Sequence, residues 1–215
     1  VVHEGWALNA YAKPRARDLA ELGYSAVATD KIGEGKNTEH PKDALPYVQA
    51  TLKEADAARN RFVAGLDLPK AQPQTDTAKL GAIGYCFGGK VVLDMARQGV
   101  PLEGVVSFHG ALATETRAVP GSIKARVLVE HGSEDSMIST DDIAALNVEM
   151  VKAGADYQFV SLPGAKHGFS NPAADTHQKD GLDVAYQKAA DERSWADMQR
   201  FFEQTFGTAQ AATAQ

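Results

Sequence analysis

Short apolar runs alternate with longer stretches in which apolar residues recur at helical spacing. Strand-like runs fall at residues 1–2, 25–29, 79–85, 104–108, 126–130 and 157–162. Helix-like runs fall between them, at residues 11–22, 46–65, 89–98, 140–153 and 193–206. Continuous apolar strands separated by helices predict a mostly parallel sheet covered on both faces. Gly23, Gly99 and Gly154 each follow a periodic run, as helix C-caps do, and Ser139 to Asp142 reads as a helix start. No repeat or linker interrupts the pattern, so residues 1–206 are expected to form one domain, with residues 207–215 as a disordered tail. The polar stretch 171–190 reads either as a flank of the site or as a plain surface loop.

One position breaks this alternation in a chemically informative way. Gly84-Tyr85-Cys86-Phe87-Gly88-Gly89 lies where a strand-like run passes directly into a helix-like one, and Cys86 is the chain's one cysteine. A nucleophile set among small residues at a strand-to-helix turn is the layout of a nucleophile elbow. Two other readings compete. A lone cysteine is commonly a small buried hydrophobe. Gly84 to Lys90 also fits G-x-x-x-x-G-K, the phosphate loop of a nucleotide-binding protein, but Val91 stands where a hydroxyl should hold magnesium. A non-hydrolytic thiol protein, such as a redox sensor, is a further alternative; no second cysteine is present to resolve a sulfenic acid.

The positions of an acid and a base favour the elbow. Asp135 follows the run ending Glu130-His131, and His167 follows the run ending Ser161-Leu162. Each lies one strand-to-loop step beyond the last, in the order nucleophile, acid, base found in α/β-hydrolases.

With these residues in place the chain resembles the dienelactone hydrolase family. The resemblance spans nearly the whole chain. It includes His3-Glu4, Leu8-Asn9, Gly33-Glu34-Gly35-Lys36, Glu39-His40-Pro41, the Cys86 elbow, Ser107-Phe108-His109-Gly110, His131-Gly132 with Asp135, and Ala165-Lys166-His167-Gly168-Phe169. It implies the α/β-hydrolase fold, with N-terminal strands upstream of this chain. It implies Cys86 as nucleophile, His167 as base and Asp135 as its orienter, acting on a small ester or lactone through an acyl-thioester. It also implies an oxyanion hole from the Phe87 and Gly5 N–H groups, and a Glu4 that contacts the resting thiol. Trp6, Ile32, Tyr85, His109, Phe169 and Asn171 are the expected pocket lining. His3 is expected to orient the oxyanion loop, His109 and His131 to be mainly structural, and His40 and His177 to face solvent. Ile32 stands where relatives carry a tyrosine. Asn171 stands where well-known members carry an arginine for a substrate carboxylate.

Composition narrows the partners. The net charge of −6, without a basic block, argues against nucleic acid and anionic membranes. No apolar run is long enough to span a bilayer. The histidines lack the i, i+4 pairing of a helical zinc site, so neither metal nor cofactor is expected. A reducing cytoplasm would best protect a reactive thiol. The chain opens mid-strand at Val1-Val2-His3, which leaves a leader, and with it a periplasmic or secreted location, open. Nothing in the sequence sets an oligomeric state.

Overall fold

The computed structural model describes residues 1–38 and 40–207. Glu39 of the motif above and residues 208–215 of the expected tail lie outside the described residues. Four parallel strands, β1 (Gly81–Tyr85), β2 (Gly104–Phe108), β3 (Arg126–Gly132) and β4 (Tyr157–Leu162), lie side by side in sequence order. Register pairs Gly81 with Gly104, Gly104 with Arg126 and Val127 with Tyr157. Among the described residues six helices accompany them: α1 (Ala12–Glu21), α2 (Pro41–Lys53), α3 (Ala55–Lys70), α4 (Phe87–Arg97), α5 (Thr140–Ala153) and α6 (Lys188–Phe206). A 3₁₀ turn, Ala174–Asp180, precedes α6.

Alternation along the strands divides the core in two. Val105, Val127 and Val129 pack under α4 and α5, with Val92, Leu93 and Met150. Ile83, Tyr85, Val106, Phe108 and Leu128 face the other way, onto Met198, Phe201 and Phe202 of α6. Both faces of the sheet are therefore apolar, which accounts for the near-continuous hydrophobic runs.

Several expected boundaries shift. The two N-terminal strands reduce to single bridges, Val2 with Gly84 and Val2 with Thr29. The expected helix 46–65 is two helices, broken at Glu54, where ψ is 69°. No glycine marks that break. α4 starts at Phe87, because the elbow takes one residue, and α6 starts five residues before the expected Arg193, at Lys188. The α5 start is as expected: Ser139 Oγ accepts from Asp142 N at 3.1 Å, and the Asp142 carboxylate accepts in return from Ser139 N at 3.3 Å.

One buried ion pair fixes the helix that begins at the elbow. Arg97, at the end of α4, meets Glu149 of α5 through two hydrogen bonds of 3.0 Å. It also donates to Asp94 and to Leu112 O, while Glu149 accepts from Ala118 N. Breaking such a pair from one side strands the other charge. Glu149→Ala is expected to lower unfolding stability by about 3 kcal/mol, measured by urea denaturation; a loss under about 1 kcal/mol would show the pair to be dispensable.

Candidate active site

The site begins with a strained residue. Cys86 links β1 to α4 with φ 53° and ψ −114°, a conformation that side chains rarely adopt. Its N–H donates to Phe108 O at 3.0 Å, tying the turn to β2. The flanking glycines permit close approach. A Cβ on Gly84 would lie 2.1 Å from Gly88 O, and one on Gly88 would lie 2.3 Å from Val2 O and 2.6 Å from His3 O. The backbone of Val2 and His3 thus presses against the first turn of α4. That contact brings Glu4 and Gly5 to the cavity that Cys86 also lines.

Phe87 is the first residue of α4, so its N–H has no partner within the helix. Gly5 N–H also makes no backbone hydrogen bond among the described residues. His3 holds the chain beside Gly5. Its Nε2 accepts from Lys31 N at 3.0 Å, so Nδ1 carries the proton and donates to Glu4 O at 2.5 Å. Burial holds the His3 pKa below the ordinary imidazole value, consistent with this neutral tautomer.

The loops after β3 and β4 meet because Gly132 has no side chain: a Cβ there would lie 2.4 Å from Ala165 O. Asp135 and His167 are thereby joined, Nδ1 to Oδ2, at 2.8 Å, both buried. The other Asp135 oxygen accepts from Met137 N at 3.0 Å. His167 Nε2 has no full hydrogen bond among the described residues, and the ring shares the cavity with Cys86. Burial opposes charge on this ring, yet the neighbouring Cys86 sulfur and Asp135 outweigh it, and the imidazole pKa rises well above its usual value.

Glu4 is 3% exposed, and burial pushes its carboxyl pKa up to about 7, against smaller lowering from the Asn171 hydrogen bond, His167 and Arg15. Its Oε2 accepts from Asn171 Nδ2 at 2.6 Å. The hydrogen-bond partner of Glu4 in this structure is therefore Asn171, where a resting contact with the thiol was expected.

The cavity over Cys86 has a volume of about 310 Å³. Of the six residues expected to line the pocket, Trp6 and Asn171 line it, beside Gly5 and Phe87. Ile32, Tyr85, His109 and Phe169 do not. Tyr85 points to the α6 face of the sheet and stacks on Phe108, ring centroids 4.7 Å apart. Phe169 turns inward against His109, and the Asp30 carboxylate draws the Ile32 loop into its own turn. His109 lies beneath His167, edge-on at 5.3 Å, with Nε2 2.8 Å from Ser170 Oγ. His131 is buried against Phe159. His40 is exposed, but His177 is half-buried and stacks on Trp6. The polar stretch after His167 is a cavity wall, through Ala174, His177, Leu182 and Val184.

The sequence reading missed the support under His167. Tyr11 Oη lies 2.7 Å from Ser170 Oγ, and Arg15 donates to Ser170 O at 2.9 Å while pairing with Asp191 at 2.5 Å. These residues lie more than 150 positions apart along the chain, separated by 159, 155 and 176, so no local motif could flag them. Lys90, which a phosphate loop would turn onto phosphates, instead donates to Ala113 O and pairs with Asp94. Among the described residues there is no metal-binding cluster of His, Cys, Asp or Glu, and no helix is long and apolar enough to cross a membrane.

The profile of the dienelactone hydrolase family matches residues 1–206. The uncharacterized Caenorhabditis elegans protein K02A2.1 is 34% identical over 149 residues, covering 68% of this chain and 92% of that protein. Two solved structures superpose with a TM-score of 0.89. One, m3DLH, is 38% identical and aligns over 95% of this chain and 85% of its own. The other, a dienelactone hydrolase-like promiscuous phosphotriesterase, P91, from metagenomic libraries, is 37% identical over 96% and 85%. An α/β-hydrolase sheet, an elbow cysteine and a family match along the described fold lead to one assignment: the chain belongs to the dienelactone hydrolase family and is a carboxylic ester hydrolase.

Proposed function

We propose that Cys86, His167 and Asp135 form a catalytic triad that hydrolyses small neutral esters or lactones through an acyl-thioester on Cys86. The observation that carries this reading is the shared cavity of Cys86 and His167, with His167 held by Asp135 at 2.8 Å. The Cys86 thiolate attacks the carbonyl carbon. The Phe87 and Gly5 N–H groups receive the developing oxyanion. Protonated His167 delivers its proton to the leaving alkoxide, and the neutral ring then activates water against the thioester. Asp135 keeps the Nδ1–H tautomer throughout. An ionised Glu4 in the same cavity raises the cost of the thiolate, and protonation of Glu4 removes that cost.

The preference for neutral substrates rests on charge. Asn171 supplies an amide where an arginine would clamp a carboxylate. Lys31 is buried with Nζ on Ala58 O, Lys36 pairs with Glu34, and Lys166 pairs with Asp183. Losing a charge-assisted contact weakens an anionic ligand by roughly ten- to a hundredfold. The likeness to P91 adds neutral phosphotriesters as a second class to assay in parallel.

Cys86→Ala is expected to remove at least about three powers of ten in kcat for a neutral p-nitrophenyl ester, with far-UV circular dichroism unchanged. Cys86→Ser should keep weak activity, since a hydroxyl is far less acidic than a thiol. Retention of more than about a tenth of turnover in Cys86→Ala would overturn the triad and leave a non-hydrolytic thiol role.

Glu4 gives a pH signature. Its folded pKa is raised from 4.5 to about 7 by burial. The folded state therefore holds the proton more tightly than the unfolded chain. The associated stability is fully present below pH 4.5 and lost as pH rises through 7. Glu4→Gln carries no such loss. Its stability relative to wild type should improve by up to about 3 kcal/mol between acidic and mildly alkaline pH, and an inflection near neutrality should leave the profile of kcat/KM. Parallel pH profiles for the two proteins would place Glu4 outside the site's electrostatics.

A further inference from the structure

The cavity over Cys86 has a boundary that the triad does not use. Trp6 and His177 stack face to face, with ring centroids 4.0 Å apart and planes 11° from parallel. Both line the cavity with Cys86 and His167. They reach it from different parts of the chain. Trp6 follows Glu4 and Gly5, while His177 lies in the 3₁₀ turn that follows His167. Rings at this separation are in van der Waals contact, so no methylene passes between them. The stack joins two separate segments into one barrier.

Each side is braced from behind. Thr38 N donates to Trp6 O at 3.3 Å, and Ala7 bridges to Asn37. In the 3₁₀ turn, Gln178 Nε2 donates to Val184 O at 2.9 Å, and Tyr186 N donates to the Asp175 carboxylate at 2.9 Å. His177 Nδ1 lies 3.8 Å from Asp180 Oδ2. The barrier is therefore built into the fold.

What the barrier limits follows from the rest of the lining. Val48, Leu52, Ile138 and Leu182 are aliphatic. Two further apolar lining residues are themselves exposed, Leu45 at 58% and Met137 at 44%. A cavity of about 310 Å³ sits at the lower end of ligand-site volumes, which run from ~300 to ~1,000 Å³. The lining suits a hydrocarbon chain, and the space suits a short one.

We propose that the Trp6–His177 stack is a specificity-determining wall that restricts this enzyme to esters with short acyl chains, by ending the aliphatic channel on two stacked rings. The proposal rests on the ester-hydrolase reading above. Its test uses two readouts, so that the two can fail separately. The first is the ratio of kcat/KM for p-nitrophenyl octanoate to that for the butyrate. His177→Ala and Trp6→Ala should each raise the ratio at least tenfold. His177→Phe, which restores a ring for Trp6 to stack on, should keep the wild-type ratio. The second readout does not need hydrolysis. Cys86 is the sole cysteine, so its alkylation by N-octylmaleimide relative to N-ethylmaleimide reports chain length directly. That ratio should rise in both alanine variants and stay low in the wild type and His177→Phe. Unchanged ratios in the folded His177→Ala protein, by both readouts, would overturn the wall. A shift in the maleimide ratio without ester turnover in the wild type would keep the wall and overturn the hydrolase reading.

Discussion

The site depends on one close approach. Gly88, in the first turn of α4, has no side chain to hold off the backbone of Val2 and His3, and their carbonyl oxygens occupy the space a Cβ would need. The consequences run outward from that contact. The strand end carrying Glu4, Gly5 and Trp6 is laid beside Cys86. The Gly5 N–H and the unpaired Phe87 N–H of α4 then belong to neighbouring segments. Cys86 itself is held in a strained conformation by Gly84, Gly88 and its bond to Phe108 O. Strain of this kind persists only where the surroundings over-determine it. Here β1, β2, the Val2 bridge and the α4–α5 ion pair all do so.

Charge in the site is handled by burial. Glu4, His109, Asp135 and His167 are all shielded from solvent, and their partners differ. Burial keeps His109 well below its usual pKa, so its ring is neutral and serves as a floor for His167. His167, with Asp135 on one nitrogen and the sulfur near the other, favours its charged form. Glu4, with an amide as its hydrogen-bond partner, is left near its midpoint at neutrality. In the mechanism proposed above, groups with environments that separate their protonation states in this way would divide the roles of acid, base and modulator.

Much of this was legible in the sequence, because it was encoded locally. The elbow reads from adjacent small residues, and Asp135 and His167 read from their place just after apolar strand-like runs. The four central strands were legible because burial on both faces makes them continuous apolar runs. What was not legible depends on partners far apart in the chain. The Glu4–Asn171 hydrogen bond spans 167 positions, and the Trp6–His177 stack joins a loop to a polar stretch that carries no periodic signal. Tyr85 and Phe169, expected in the pocket, lie in the core instead, because strand alternation and a tight turn send both there. The break at Glu54 has no local marker either.

Covalent capture tests the central claim most directly. Mixing the protein with a p-nitrophenyl ester in excess, quenching in acid within the first turnovers and measuring intact mass should reveal one added acyl group per chain. Peptide mapping should place it on Cys86, as a thioester released by neutral hydroxylamine. An adduct on a serine, or ester turnover with no Cys86 adduct at any quench time while the Cys86→Ala protein remains active, would contradict the account.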